Sequence, residues 1–130
     1  MYNQKIMEVF KESKHMGEIR QANAIGDAGN AGLGDILKFY MVVEDEKIQD
    51  VKCKVFGSVV AIAVGSVCCD ELIGKTLDEA LELDINEVTK ILGEIPQEKL
   101  HCLSFAKEAI KEAVNYYYKK QEKQKRSQIN

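Results

Sequence analysis

The sequence predicts an α+β domain, with a three-stranded antiparallel sheet early in the chain and about five helices packed on it. Three observations point there. Residues 36–43 and 48–56 alternate apolar and polar side chains across a short acidic turn, the period-2 signature of a hairpin. The run Val59 to Cys69 carries no charge and is rich in small residues, so a helix built from it is apolar all round and buried. After Pro96, apolar residues recur at helical spacing as far as Tyr117, which calls for one long amphipathic helix. At 130 residues the chain has the size of a single domain that buries a core without disulfides or metals.

Each element has its own warrant. Residues 2–12 put Tyr2, Ile6, Val9 and Phe10 on one stripe, a short amphipathic helix that ends before the loop 13–17. Residues 24–35 carry glycines at 26, 29, 32 and 34, a density that suggests a backbone bending tightly or lying close to something. No Gly-Lys-Ser/Thr follows, so this is no phosphate loop; it is expected to add the third strand. In the hairpin, Leu37, Phe39, Met41 and Val43 share one face of the first strand. Val51, Cys53 and Val55 share one face of the second, and Glu44-Asp45-Glu46-Lys47 is the turn. The central helix is expected to pack closely through Ala61, Ala63, Gly65 and Ser66. Thr76-Leu77-Asp78-Glu79 reads as a capping box opening a short helix through Leu83. Asp84 opens another through Leu92, closed by Gly93. The last helix carries the stripe Leu100, Leu103, Ala106, Ile110, Ala113, Val114 and Tyr117, with Tyr116 and Tyr118 off it.

Composition narrows the function classes. The 45% hydrophobic fraction and net charge of −3 exclude a disordered chain. The longest uncharged apolar run is far short of the ~18 residues of a membrane span. The first residues lack the basic and apolar stretches of a signal peptide, so a cytoplasmic location is expected. There the four cysteines, 53, 68, 69 and 102, are reduced thiols or metal ligands before they are disulfides. Residues 119–130 hold five cations against Glu122, leaving the body at −7. An acidic body argues against nucleic-acid binding, and the basic stretch reads as a helix end fraying into solvent. The domain proper is thus expected over 1–118, followed by a basic helix end or disordered tail over 119–130.

Three stretches place polar groups at the ends of elements: Gly34-Asp35, Gly57-Ser58 and His101-Cys102. Asp35, His101 and Cys102 supply a carboxylate, an imidazole and a thiol, donors adequate for a zinc or ferrous ion with water or Ser58 as fourth ligand. Ser58 reads equally as a plain helix N-cap, and Asp35 as a turn residue. A helix N-terminus at Cys102 is expected to lower its thiol pKa and make it a better nucleophile. Cys53 reads as core packing, Cys68 and Cys69 as core or interface, and His15 as a solvated loop residue. A Cys102–His101 hydrolase is not expected, since no third residue orients the pair.

The same stretches carry a family resemblance. Lys54-Val55-Phe56-Gly57, Val60-Ala61-Ile62-Ala63, Gly74-Lys75-Thr76-Leu77-Asp78-Glu79-Ala80 and Lys99-Leu100-His101-Cys102 through Ala106, Ala109 and Ile110 together resemble the IscU/NifU scaffolds on which iron–sulfur clusters are assembled. The resemblance runs from Tyr2 to about Lys119. It implies a SufE/NifU-like fold, a non-enzymatic scaffold, and a site of three cysteines and an aspartate, with the histidine before the third cysteine as an alternative ligand. Laid on this chain, the first cysteine falls at Leu33 and the second at Ser58; Asp35, His101 and Cys102 match. Iron in a cluster takes thiolate donors, so with one thiolate of three the family's cluster is doubtful here, and zinc, iron or persulfide sulfur at Asp35, His101 and Cys102 is expected instead. The resemblance also implies a cysteine desulfurase as partner, and a homo-oligomer as one possible state. The family's chaperone segment Leu-Pro-Pro-Val-Lys reads Ile95-Pro96-Gln97-Glu98-Lys99 here, which makes chaperone docking doubtful. Two further readings remain open at this point: a cluster-free module that keeps the fold and docks the desulfurase, and a persulfide carrier using Cys102 alone.

Overall fold

The computed structural model describes the backbone of residues 3–129 and the side chains of residues 3–127. Its elements run α1 (Gln4–Glu12), β1 (Ala24–Asn30), a 3₁₀ turn (Ala31–Leu33), β2 (Asp35–Glu44), β3 (Lys47–Phe56), α2 (Val59–Leu72), α3 (Leu77–Leu81), α4 (Ile85–Leu92), a second 3₁₀ turn (Gln97–Lys99) and α5 (His101–Ile129). The sheet is antiparallel throughout, in the order β1-β2-β3. This is the predicted α+β arrangement. The glycine-rich stretch does supply the third strand.

Pairing places Gly26, Phe39 and Cys53 on one cross-strand rung, and that rung explains how the helices sit. A Cβ on Gly26 would lie 2.2 Å from the Ala113 backbone nitrogen and 2.4 Å from the Ala109 carbonyl oxygen. Only a glycine lets α5 lie directly on β1. At the other end of the rung, α2 approaches Cys53 through Gly65, whose added Cβ would meet the Cys53 Sγ at 2.9 Å. Phe39, fully buried, fills the space between. Leu37, Met41, Val43 and Val51 share its face and are buried with it, as the alternation required.

The hairpin turns at Asp45 and Glu46, both with positive φ (53° and 65°), the backbone of a type I′ turn. Helix α2 is buried along nearly its whole length, including Ala61, Ala63, Gly65 and Ser66. The capping box at Thr76 forms in both directions, although α3 stops at Leu81 and not at Leu83. Asn3 caps α1, and its amide donates to the Leu92 and Glu94 carbonyls (2.9 Å each), which ties the start of the chain to the end of α4. Tyr2, placed on the α1 stripe by its spacing, lies outside the described residues.

Leu100, assigned to the core stripe of the last helix, is 45% exposed, because it precedes α5 and caps the second 3₁₀ turn. Helix α5 continues through the basic stretch to Ile129, with Tyr117 buried and Tyr116 and Tyr118 exposed. No described helix is long and apolar enough to cross a membrane.

Candidate functional site

The site is organised around the Asp35 carboxylate. Asp35 opens β2 directly after Gly34, which takes a left-handed backbone (φ 84°). Its Oδ1 accepts from the Ser58 N–H (2.8 Å) and the Ser58 hydroxyl (2.9 Å). Gly57 makes that approach possible, since a Cβ there would fall 2.3 Å from Asp35 Oδ1. Its Oδ2 accepts from Lys99 Nζ (3.0 Å) and His101 Nε2 (2.7 Å), and the Cys102 thiol points at the same oxygen from 3.6 Å. An ionised carboxylate only accepts, so His101 Nε2 is the donor in its bond. Three separated segments, 34–35, 57–58 and 99–102, therefore converge on one side chain.

Asp35 is fully buried, while Lys99 and His101 keep about a fifth of their side-chain surface (22% and 19%). Burial pushes the Asp35 carboxyl up. The Ser58 N–H, His101, Lys99 and the Ser58 hydroxyl outweigh it and hold the carboxyl far below the ordinary range. A carboxylate with this many donors is ionised in the folded chain. The carboxylate lies inside and meets solvent only through the partly exposed imidazole and ammonium.

Cys102 departs from expectation more sharply. Its thiol is pushed up to about 12 by burial first, then by the Asp35 charge and by donating to that carboxylate, with Lys99 and Ser58 opposing weakly. The helix N-terminus at α5 does not compensate. A buried thiol beside a carboxylate keeps its proton.

Asp35, His101 and Cys102 each offer one ligand atom, and these atoms all lie within 4.8 Å of one another. Carboxylate, imidazole and thiol at this spacing suit a tetrahedral ion with one position left over. Ser58 enters the arrangement as the N-cap of α2, its hydroxyl oxygen accepting from Ala61 N (3.2 Å). Lys99, absent from the candidate set, is the residue that sequence reasoning missed. Its one local signal is its place two residues before His101 in Lys-x-His-Cys, at the end of a turn that leads into α5, and that place does not reveal its partner.

The other candidates lie apart from this centre. Cys53, Cys68 and Cys69 are fully buried, and burial raises all three thiols, that of Cys68 to about 12. They pack the β3–α2 interface. His15 is not a solvated loop residue: its Nε2 lies 2.6 Å from Asp70 Oδ1 and its side chain is 19% exposed. Around Asp35 the chain presents apolar residues to solvent: Leu33 (51% exposed) and Phe56 (76%) just before two of the converging segments, and Leu100 (45%) within the third.

A three-stranded antiparallel sheet thus carries a carboxylate, an imidazole and a thiol gathered where two helices start. The family model described as the NifU-like N-terminal domain matches residues 1–124, and the chain belongs to that family. It is 35% identical over 120 residues to the iron–sulfur cluster assembly scaffold protein IscU 1 of Archaeoglobus fulgidus, covering 92% of this chain and 78% of the relative. The corresponding IscU of Aquifex aeolicus is 34% identical over 122 residues, with the same coverage. The nitrogen fixation protein NifU of Azotobacter chroococcum is 36% identical over 118 residues, 89% of this chain but 38% of that protein. In fold, the chain is similar to an N-terminal NifU-like protein from Brucella abortus, with a TM-score of 0.72 at 17% identity over 91% of this chain and 94% of the other.

Proposed function

We propose that this chain is a non-enzymatic scaffold-type protein of iron–sulfur cluster assembly, with a reduced site that binds one iron or zinc ion, or accepts sulfur, at Asp35, His101 and Cys102. The observation that carries this reading is the convergence of those three ligand atoms within 4.8 Å in a chain of the NifU-like family. The cluster is cargo in such a protein. With leucine at 33 and serine at 58, one protomer offers a single thiolate, too few soft donors for a cluster held by that protomer alone. A single hard-to-borderline ion fits the donor set better.

The chain's own residues would act as follows. Asp35 and His101 supply oxygen and nitrogen donors, Cys102 supplies sulfur once its proton has left, and Ser58 holds Asp35 in place through its N–H. For sulfur acceptance the Cys102 thiolate attacks the outer sulfur of a donor persulfide. One S–S bond forms at Cys102, and the donor leaves as a thiolate. A cysteine desulfurase is the donor this chemistry calls for, and the exposed Leu33, Phe56 and Leu100 offer it an apolar rim. Docking of the family's chaperone is not part of the reading, because Gln97 and Glu98 stand in the segment that would recognise it.

Elemental analysis of protein purified anaerobically, then reconstitution with ferrous iron, sulfide and a desulfurase, tests the reading. One ion per chain that is lost in Cys102→Ser supports it. No metal and no added sulfur on Cys102 would sink it. The closure of the Asp35 network by chain donors favours a second reading, a cluster-free module that docks the desulfurase. That version predicts desulfurase binding that survives Cys102→Ser.

A further inference from the structure

We propose that the Lys99 ammonium is a built-in substitute for the metal cation, and that its bond to Asp35 sets how tightly this site takes an ion. The inference rests on the metal-binding reading above and concerns what competes with the ion. Lys99 Nζ and His101 Nε2 both reach Asp35 Oδ2, at 3.0 and 2.7 Å, and Cys102 Sγ approaches the same atom at 3.6 Å. An ion bound by that oxygen, the imidazole and the sulfur would stand about 2.0–2.3 Å from each donor. Its place is therefore at the oxygen the ammonium now occupies. A divalent ion and an ammonium cannot share one carboxylate oxygen in a buried pocket without strong repulsion, so the ammonium must swing out when the ion enters.

The charge balance explains why this competition matters in this chain. Three thiolates and a carboxylate would leave a deep negative well that one lysine could not fill. Here Leu33 and Ser58 bring no charge, and the single carboxylate is already neutralised by one ammonium. Asp35 is fully buried and Lys99 is 22% exposed, so the pair is shielded from water on the carboxylate side and open on the ammonium side. That geometry lets Lys99 move to solvent while Asp35 stays fixed by Ser58.

The test is zinc and cobalt affinity, read by chelator competition and by the cobalt–thiolate absorbance, in the wild-type chain and in Lys99→Met, Lys99→Gln, Lys99→Arg and Cys102→Ser. Chemical denaturation of each metal-free variant is measured alongside. The proposal expects Lys99→Met and Lys99→Gln to bind about tenfold more tightly or better, although both are less stable without metal. Lys99→Arg, which keeps the charge, should stay near the wild type. Damage to the fold alone would lower stability and affinity together, so a gain in affinity against a loss in stability is the signature. Unchanged or weaker binding in Met and Gln, with wild-type binding that depends on Cys102, overturns this inference and leaves the metal site standing. No Cys102-dependent binding in any variant overturns both.

Discussion

Asp35 and Ser58, 23 residues apart, are joined twice: Oδ1 of the carboxylate accepts the Ser58 N–H at 2.8 Å and its hydroxyl at 2.9 Å. One side chain thereby satisfies a free N–H near the start of α2 and fixes the entry of β2 against it. The same carboxylate holds the turn before α5 through Lys99 and His101. One carboxylate is therefore the tie between three segments.

Removing the tie exposes its structural share. Asp35→Ala leaves the Ser58 N–H, the imidazole and the ammonium without their acceptor, and is expected to cost about 3 kcal/mol. Ser58→Ala removes one hydroxyl bond and the side-chain cap of α2 but keeps the N–H contact, and should cost about 1 kcal/mol. Urea denaturation midpoints measure both. Equal losses would mean that the hydroxyl, and not the carboxylate, holds the segments together.

Acid should act through the same residue. The folded carboxyl of Asp35 is held far below the ordinary value near 4 that it recovers on unfolding. The unfolded chain therefore takes up a proton that the folded chain refuses. The stability this contributes is present in full above about pH 5 and is lost as pH falls through about 4 and below. Glu79 in its capping box and Glu18 beside Lys54 are lowered in the same direction, but both are exposed and add little. Denaturation midpoints between about pH 6 and pH 3 should fall more steeply in the wild type than in Asp35→Asn. Parallel curves would remove Asp35 from the account of acid unfolding.

What could be read in advance follows from what local patterns encode. The hairpin, the buried α2 and the caps at Thr76 and Asp84 depend on spacing within a few residues, and all are present. The donors Asp35, His101 and Cys102 were legible because they stand at element ends. Lys99 was not, because its partner lies 64 residues away and a lysine before a helix ordinarily reads as solvated. Leu100 and His15 failed for related reasons. A helical stripe does not show that the helix begins one residue later, and a loop histidine does not show Asp70 waiting across the fold. The thiol pKa of Cys102 reversed because burial and a neighbouring carboxylate, both products of tertiary structure, outweigh the helix end.

That reversal has a direct chemical consequence. All four cysteines are buried, and Cys102 keeps its proton with a pKa of about 12. Native protein is expected to react with iodoacetamide far more slowly than a free thiol, and all four sites should label once the chain is unfolded. Mass spectrometry of labelled peptides reads this site by site. Rapid native labelling at Cys102 would show that the Asp35–Cys102 contact opens freely in solution.

The two positions that withhold thiolates can be supplied with them. Leu33 is half exposed in the turn leading to Asp35, so a cysteine there adds a ligand without opening the core. Ser58 touches Asp35 directly, and a cysteine in its place keeps the backbone N–H that fixes the carboxylate, at the cost of a weaker cap. The double variant Leu33→Cys/Ser58→Cys then presents three thiols, a carboxylate and an imidazole to one ion. Zinc should bind at least about tenfold more tightly than in the wild type, because soft anionic donors replace an apolar residue and a hydroxyl. Anaerobic reconstitution with iron and sulfide should produce thiolate-to-iron absorbance in the double variant and not in the wild type. Each single variant should fall between. If the double variant binds no better than the parent, Leu33 and Ser58 do not face the Asp35 centre, and the loss of cluster ligands cannot be assigned to those two residues.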